Sequence, residues 1–303
     1  MHHYIYIEEQ GLRDGLQTLS HIFSTEQKLI WTRDLIEAGV KRIQIGSFVH
    51  KEKVPAMADT DALFLQSNHE QKEVLISGLV LNKKGLERAI HCGTKHLSIS
   101  LSASETHSLK NTGKTIEQAK MEIKEMIALA KENHIKVRSG IQCAFGCRFE
   151  GKISEKVVMD LAEYLITCGA DELSLADSTG MAHPVQVDRI IKQVISIAGN
   201  NPIGLHLHNT ENKGYANLYA GLNAGVTIID TAFGGLGGCP FIKGATGNIA
   251  TEDVVHMLDQ MGVDTGIDIC KIAKISLEIE KVLGNPLPGL MYKLIQNKSI
   301  ALI

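Results

Sequence analysis

The sequence predicts a closed (β/α)8 TIM barrel followed by a C-terminal helical extension, and two observations carry that prediction. Short β-type runs alternate strictly with helix-type stretches, one pair about every 30 residues, and such alternation builds a parallel sheet with crossover helices. Eight pairs can be counted along the chain, whereas a doubly wound open sheet has roughly five or six strands, so the sheet closes on itself. A chain of 303 residues is an ordinary length for such a barrel in one domain. No linker, charge run or low-complexity stretch divides it, giving a single domain over 1–303, with the barrel over about 1–263 and the extension over about 264–303.

The first unit pairs a strand in YIYIEE (4–9) with a helix over 25–39, where Leu29, Ile30, Leu35 and Ile36 recur at helical spacing and Gly39 closes the run. The turn-rich GLRDG (11–15) lies between them. KRIQIGSF (41–48) with a helix through about 57–68, and EVLISGLVL (73–81) with a helix over 85–93, repeat the unit. HLSISLS (96–102) precedes a long helix over 115–133 whose Met121, Ile123, Met126, Ile127 and Leu129 form an apolar stripe. The strands KVRSGIQC (136–143), ELSLAD (172–177) and NPIGLHLH (201–208) are followed by helices over 155–169, 184–199 and 214–224. VTIIDTAF (226–233) leads through a glycine-rich loop to a helix over 251–262. Beyond it, a helix over 269–283 and the irregular GNPLPG are expected to cover part of the barrel or an oligomer contact.

Composition narrows the function. A hydrophobic content of 44% and a charged content of 21% describe an ordinary soluble globular protein. A net charge of -3 and a pI near 6.5 give no sign of a nucleic-acid groove or a membrane-seeking surface. The six cysteines (Cys92, Cys143, Cys147, Cys168, Cys239 and Cys270) include no CxxC pair, which argues for free thiols in a reducing compartment rather than structural zinc. The beginning MHHYIYIEEQGLRDG lacks a secretory pattern, no apolar run reaches membrane-spanning length and KSIALI carries no lipidation signal, so a cytoplasmic protein is expected.

In such barrels chemistry sits at the C-terminal ends of the strands. Applied here, that filter collects Arg13, Asp14 and Gln17 after strand one, and Gln44 near the end of strand two. Strand five offers Arg138 and Gln142, strand six Ser174 and Asp177, and strand seven ends at His206 and His208. The loop GGLGGCPFIKGATGN (234–248) adds Cys239 and Asn248. Residues two apart on a strand point the same way, so His206 and His208 are spaced to grip one ion. Alone, Asp14 reads as a turn residue and Asn248 as a residue near a helix N-cap. Converging at one mouth with two histidines, they suit an octahedral divalent ion, and oxygen donors favour Mg²⁺ or Mn²⁺. The glycines around Cys239 permit close approach of backbone to ligand and make that thiol a candidate acid–base or nucleophilic group.

Several motifs resemble the hydroxymethylglutaryl-CoA lyase family, within the larger group of metal-dependent barrel lyases and aldol-type synthases. They are EQGLRDGLQ (9–17), GSFVHKEKVPAM (46–57), SASETHSLKN (102–111), CAFGCRFEGKIS (143–154), LADSTG (175–180), HLHNT (206–210) and GLGGCPFIKGATGNIATED (235–253), and the match covers nearly the whole chain. The resemblance implies cleavage of a 3-hydroxy-acyl-CoA, for the family's best-known substrate giving acetyl-CoA and acetoacetate. It also implies metal ligation by Asp14, His206, His208 and Asn248, enolate stabilisation by Arg13, proton donation by Cys239 and a homodimer.

Four departures from the family pattern fall in or near the pocket. Gln44 stands where a catalytic glutamate is usual, and an amide cannot take a proton near neutral pH. Gly140 and Gln142 replace a tyrosine and a serine, Asn209 replaces an aspartate, and Arg148 replaces a proline. These changes predict a chain that keeps its metal but cleaves hydroxymethylglutaryl-CoA poorly. Two classes stay open: an acyl-CoA lyase or aldolase with the usual or a related substrate, and a metal-binding pseudoenzyme.

Overall fold

The computed structural model describes residues 4–67, 73–238 and 247–297. Eight parallel strands close in sequence order: β1 (Tyr6–Glu9), β2 (Arg42–Ser47), β3 (Leu75–Val80), β4 (His96–Ser102), β5 (Lys136–Gln142), β6 (Glu172–Asp177), β7 (Ile203–Leu207) and β8 (Ile228–Thr231). β8 returns to β1, with Ile7 opposite Ile229 and Glu8 opposite Asp230. The crossovers run through α1 (Thr25–Glu37), α2 (Thr60–Ser67), α3 (Lys83–His91), α4 (Glu105–Thr112), α5 (Ile116–Glu132), α6 (Glu155–Thr167), α7 (Pro184–Ala198), α8 (Gly214–Ala224) and α9 (Thr251–Gln260).

The core lies between the barrel and its ring of helices. Ile43, Ile99, Val137, Leu173, Leu205 and Ile229 point outward from the strands and are fully buried against helix residues such as Leu35, Ile127, Leu165 and Ile191. The strands therefore alternate, as in HLSISLS and KVRSGIQ, with the apolar set facing the helices and a polar or charged set facing the lumen. Helix starts are fixed locally: Ser24 accepts from the Gln27 amide, and Thr115 with Gln118 forms a reciprocal capping box. The extension contains α10 (Ile269–Leu283) and α11 (Met291–Gln296). It is tied to α1 by Trp31 Nε1 donating to Glu278 at 2.9 Å and by the Asp268 amide donating to the Ala38 carbonyl at 2.8 Å.

The expected barrel is present, with three local differences. The segment expected as a turn at 11–15 is one π-helical turn, Gly11–Gly15, in which the amides of Arg13, Asp14 and Gly15 converge on the Gln10 carbonyl. The helix expected through about 57–68 divides into a 3₁₀ turn, Pro55–Met57, and α2. α4 and α11 were not expected. No helix among the described residues is long and apolar enough to cross a membrane.

Candidate metal centre

The wide turn after β1 places Arg13 and Asp14 side by side at the barrel mouth, and π-type turns recur at functional sites for this ability to re-aim side chains. From β7, His206 and His208 present their Nε2 atoms 3.1 Å apart, each 4.0 Å from Asp14 Oδ2. These three ligand atoms lie within 4.8 Å of one another. Asn248 closes the group: its Nδ2 donates to Asp14 Oδ2 at 2.8 Å and to the Leu236 carbonyl at 2.9 Å. Gly237 makes that approach possible, because a Cβ there would sit 2.4 Å from Asn248 Nδ2. Asn248 Oδ1 is buried without a hydrogen-bond partner among the described residues, an expensive arrangement for an amide oxygen unless an ion takes it up.

The protonation states suit a cation. Burial pushes Asp14 up, but Arg13, His206, His208 and the Asn248 amide outweigh it and hold the carboxyl at about 2. Burial and then the neighbouring His206 push His208 down to about 4, leaving a neutral imidazole. A carboxylate, two imidazoles and an amide oxygen are a fitting donor set for a divalent ion with mixed oxygen and nitrogen ligands.

Beneath the cluster runs a buried ionic ladder that the sequence reading missed. His206 Nδ1 faces Asp230 Oδ2 at 3.2 Å, and Asp230 Oδ1 pairs with Arg138 Nη1 at 2.8 Å. Arg138 also donates to Glu8 at 2.9 Å, and Glu8 accepts from Arg42 at 2.9 Å. Arg42 in turn binds Glu172 through two parallel bonds of 3.0 and 2.6 Å. Burial opposes the charge on Asp230, but the Arg138 guanidinium outweighs it and lowers the carboxyl. Gly204 leaves the space: a Cβ there would lie 2.0 Å from Arg138 Nη2.

Arg13 Nε donates to Gln44 Oε1, its Nη1 to Asp14, and its Nη2 to Gln10 Oε1 at 2.8 Å. Gln17 Nε2 donates to Asp14 Oδ1 at 2.9 Å, so it supports a ligand rather than lining open space. Gln142 shares the lumen side of β5 with Arg138 and Gly140, and its Nε2 donates to Ser100 Oγ at 3.1 Å. Ser174 accepts from Arg138 Nη2 at 3.0 Å, in the ladder's layer. Asp177 is not brought to the cluster; it is fully buried, and its two oxygens accept the Met181 and Ala182 amides at 3.0 and 3.1 Å, clamping the turn after β6. Lumen-facing residues on β6 alternate as Glu172, Ser174 and Ala176, and Asp177, which the sequence placed among the strand-end candidates for substrate binding, is out of phase with them. Arg138 likewise stands below the mouth, inside the ladder. Asn209 caps the start of α8, accepting the Gly214 amide at 3.0 Å, and Arg148 pairs with Glu211 across two mouth loops. Cys239 lies outside the described residues.

A family model described as HMGL-like matches residues 4–279 of the chain. The chain belongs to the HMGL-like family. It is 37% identical over 285 residues to a hydroxymethylglutaryl-CoA lyase of Bacillus subtilis, covering 94% of this chain and 95% of that one. An (R)-citramalyl-CoA lyase of Chloroflexus aurantiacus is 36% identical over 298 residues, covering 95% and 94%. A solved HMG-CoA lyase of Acinetobacter baumannii, in complex with coenzyme A and 3-methylmalate, superposes with a TM-score of 0.92 at 36% identity over 99% and 98% of the two chains. This HMGL-like chain is therefore a carbon–carbon lyase on a TIM barrel, with an Asp/His/His cluster at its mouth.

Proposed function

We propose that the protein cleaves a 3-hydroxy-3-methylglutaryl-CoA-like thioester to acetyl-CoA and acetoacetate, or to the analogous ketone, with Mg²⁺ or Mn²⁺ held by Asp14, His206, His208 and Asn248. The observation that carries this reading is the convergence of Asp14 and two imidazole Nε2 atoms on one point within a chain of this family. The bond between C2 and the carbinol carbon breaks, the hydroxyl proton passes to water as that carbon becomes a ketone, and the electron pair passes to C2 and the thioester. A bound divalent ion supplies Lewis acidity that lowers the pKa of the hydroxyl. Arg13, fixed by Gln10, Asp14 and Gln44, presents a guanidinium where the enolate oxygen develops. Asp230 holds His206 with Nε2 turned to the ligand cluster. The family resemblance assigns Cys239 to deliver the proton that C2 requires. The same reading takes an acyl-CoA as partner, a homodimer as the assembly and the cytoplasm as the compartment.

The test is acetoacetate release from hydroxymethylglutaryl-CoA by the purified chain with Mn²⁺, with Mg²⁺ and with chelator. Metal-dependent release is expected, and its absence with either ion across a panel of 3-hydroxy-acyl-CoAs overturns the reading. Gln44→Glu restores a carboxylate beside Arg13 and is expected to raise the rate. An unchanged rate would assign the slow step to pocket shape.

A further inference from the structure

The inner face of the barrel stays accessible along one wall. On β4, and on β5 from Val137 onward, the outward-pointing residues are buried, whereas Ser98, Ser100, Gly140 and Gln142 on the lumen side are half-exposed. In the closed strand order β4 and β5 stand opposite β8 and β1, so this wall faces the Asp14–His206–His208 cluster across the lumen. Its residues are small or carry neutral hydrogen-bonding groups. Gln142 Nε2 donates to Ser100 Oγ at 3.1 Å, Asn111 Nδ2 donates to Gln142 Oε1 at 3.2 Å, and Gln44 Nε2 donates to Ser98 Oγ at 2.8 Å. An amide nitrogen has two hydrogens, and these contacts use one on each glutamine. Gly140 keeps the space open, since even a Cβ would stand 3.1 Å from that of Ser100.

This chemistry discriminates among substituents on the carbinol carbon of a substrate anchored at the cluster. A methyl group would leave amide and hydroxyl donors facing hydrocarbon, which costs binding. A carboxylate would meet no cation among Ser98, Ser100, Gly140 and Gln142, and an unpaired buried charge is costly. A neutral hydroxyl or carbonyl avoids both penalties. We infer that the wall of Ser98, Ser100, Gly140 and Gln142 receives a neutral hydroxyl- or carbonyl-bearing branch of the 3-hydroxyacyl group, with Gln142 as its specificity-determining residue. This inference rests on the lyase reading. For a hydroxymethyl branch the bond from C2 to the carbinol carbon breaks, and the proton of the tertiary hydroxyl passes to water as the hydroxymethyl ketone forms. The electron pair goes to C2, which takes a proton and becomes the methyl of acetyl-CoA.

The test compares 3-hydroxy-3-methylglutaryl-CoA with 3-hydroxy-3-(hydroxymethyl)glutaryl-CoA on the full Mn²⁺-loaded chain, reading kcat/KM. In parallel, calorimetry gives the Kd values of the two corresponding CoA thioethers, which cannot form an enolate. About a tenfold preference for the hydroxymethyl ligand is expected in both readouts, the value of one added hydrogen bond. Gln142→Leu should bring both ratios close to one, and Gln142→Asn should retain part of the preference. Equal or better use of the methyl substrate by the unaltered chain overturns the inference while leaving the lyase reading intact. A ratio that survives Gln142→Leu also overturns the role of Gln142. Thioethers that bind with the expected ratio, beside thioesters that are not cleaved, sink the lyase reading and sustain the wall.

Discussion

The imidazole of His206 is held at both ends, by Asp230 at Nδ1 and by the ligand cluster at Nε2. A carboxylate on one ring nitrogen fixes the tautomer and raises the basicity of the other, which strengthens metal ligation. Asp230→Asn keeps the shape and removes the charge, so Mn²⁺ affinity should fall by about 10–100-fold. Titration of free Mn²⁺ by electron paramagnetic resonance reads this directly, and unchanged affinity would confine Asp230 to pairing with Arg138. The two histidines were legible in the sequence because a two-residue spacing on a strand is itself a geometric statement. Asp230 was not, since in IIDTAF it is a single acid in an apolar run. Only the barrel register, which sets His206 beside Asp230, reveals its partner.

Two buried carboxyls anchor the start of the loop that follows β8. Glu9 accepts the Gly11 and Phe233 amides at 2.7 and 3.0 Å, and Glu252 accepts the Gly234 amide at 3.0 Å. Burial raises both, and their hydrogen bonds offset it only in part, leaving Glu9 at about 8 and Glu252 at about 7. Because both folded values exceed the ordinary 4.5, the protonated carboxyls contribute stability that is fully present below that value. That contribution is lost as pH rises through about 7 and 8. Thermal unfolding followed across this range should show a falling Tm, and Glu9→Gln should flatten the upper part of the fall. A Tm that stays level would mean that both groups are already ionised in the fold. Elements of this size also mark where sequence periodicity stops being informative. α5 was legible from its apolar stripe, whereas α4, ETHSLKNT, buries His107 and Ser108 instead of such a stripe. It exists because Ser104 caps the His107 amide and Gly113, at φ 73°, ends it.

At the scale of the whole molecule the barrel is held from outside by apolar packing and from inside by ions, and only the first was legible. Outward-facing residues repeat along each strand and announce eight units. The inner ladder joins Glu8 to Arg42, 34 residues away, and Glu8 to Arg138 and Arg42 to Glu172, each 130 residues apart, so no local pattern predicts it. These pairs tie β1, β2, β5 and β6 across the lumen, with Arg138 also reaching Asp230 on β8. Removing one member leaves its partners charged and dry, a loss of about 3–5 kcal/mol for comparable pairs. Arg138→Met should therefore lower the urea midpoint sharply, leaving Glu8 with Arg42 alone and Asp230 without its guanidinium. If the cost is orphaned charge rather than lost packing, Arg138→Met combined with Asp230→Asn should recover part of the stability, because the uncompensated carboxylate is gone. An additive double variant would instead assign the loss to packing and show that the ladder does not hold the barrel together through its charges.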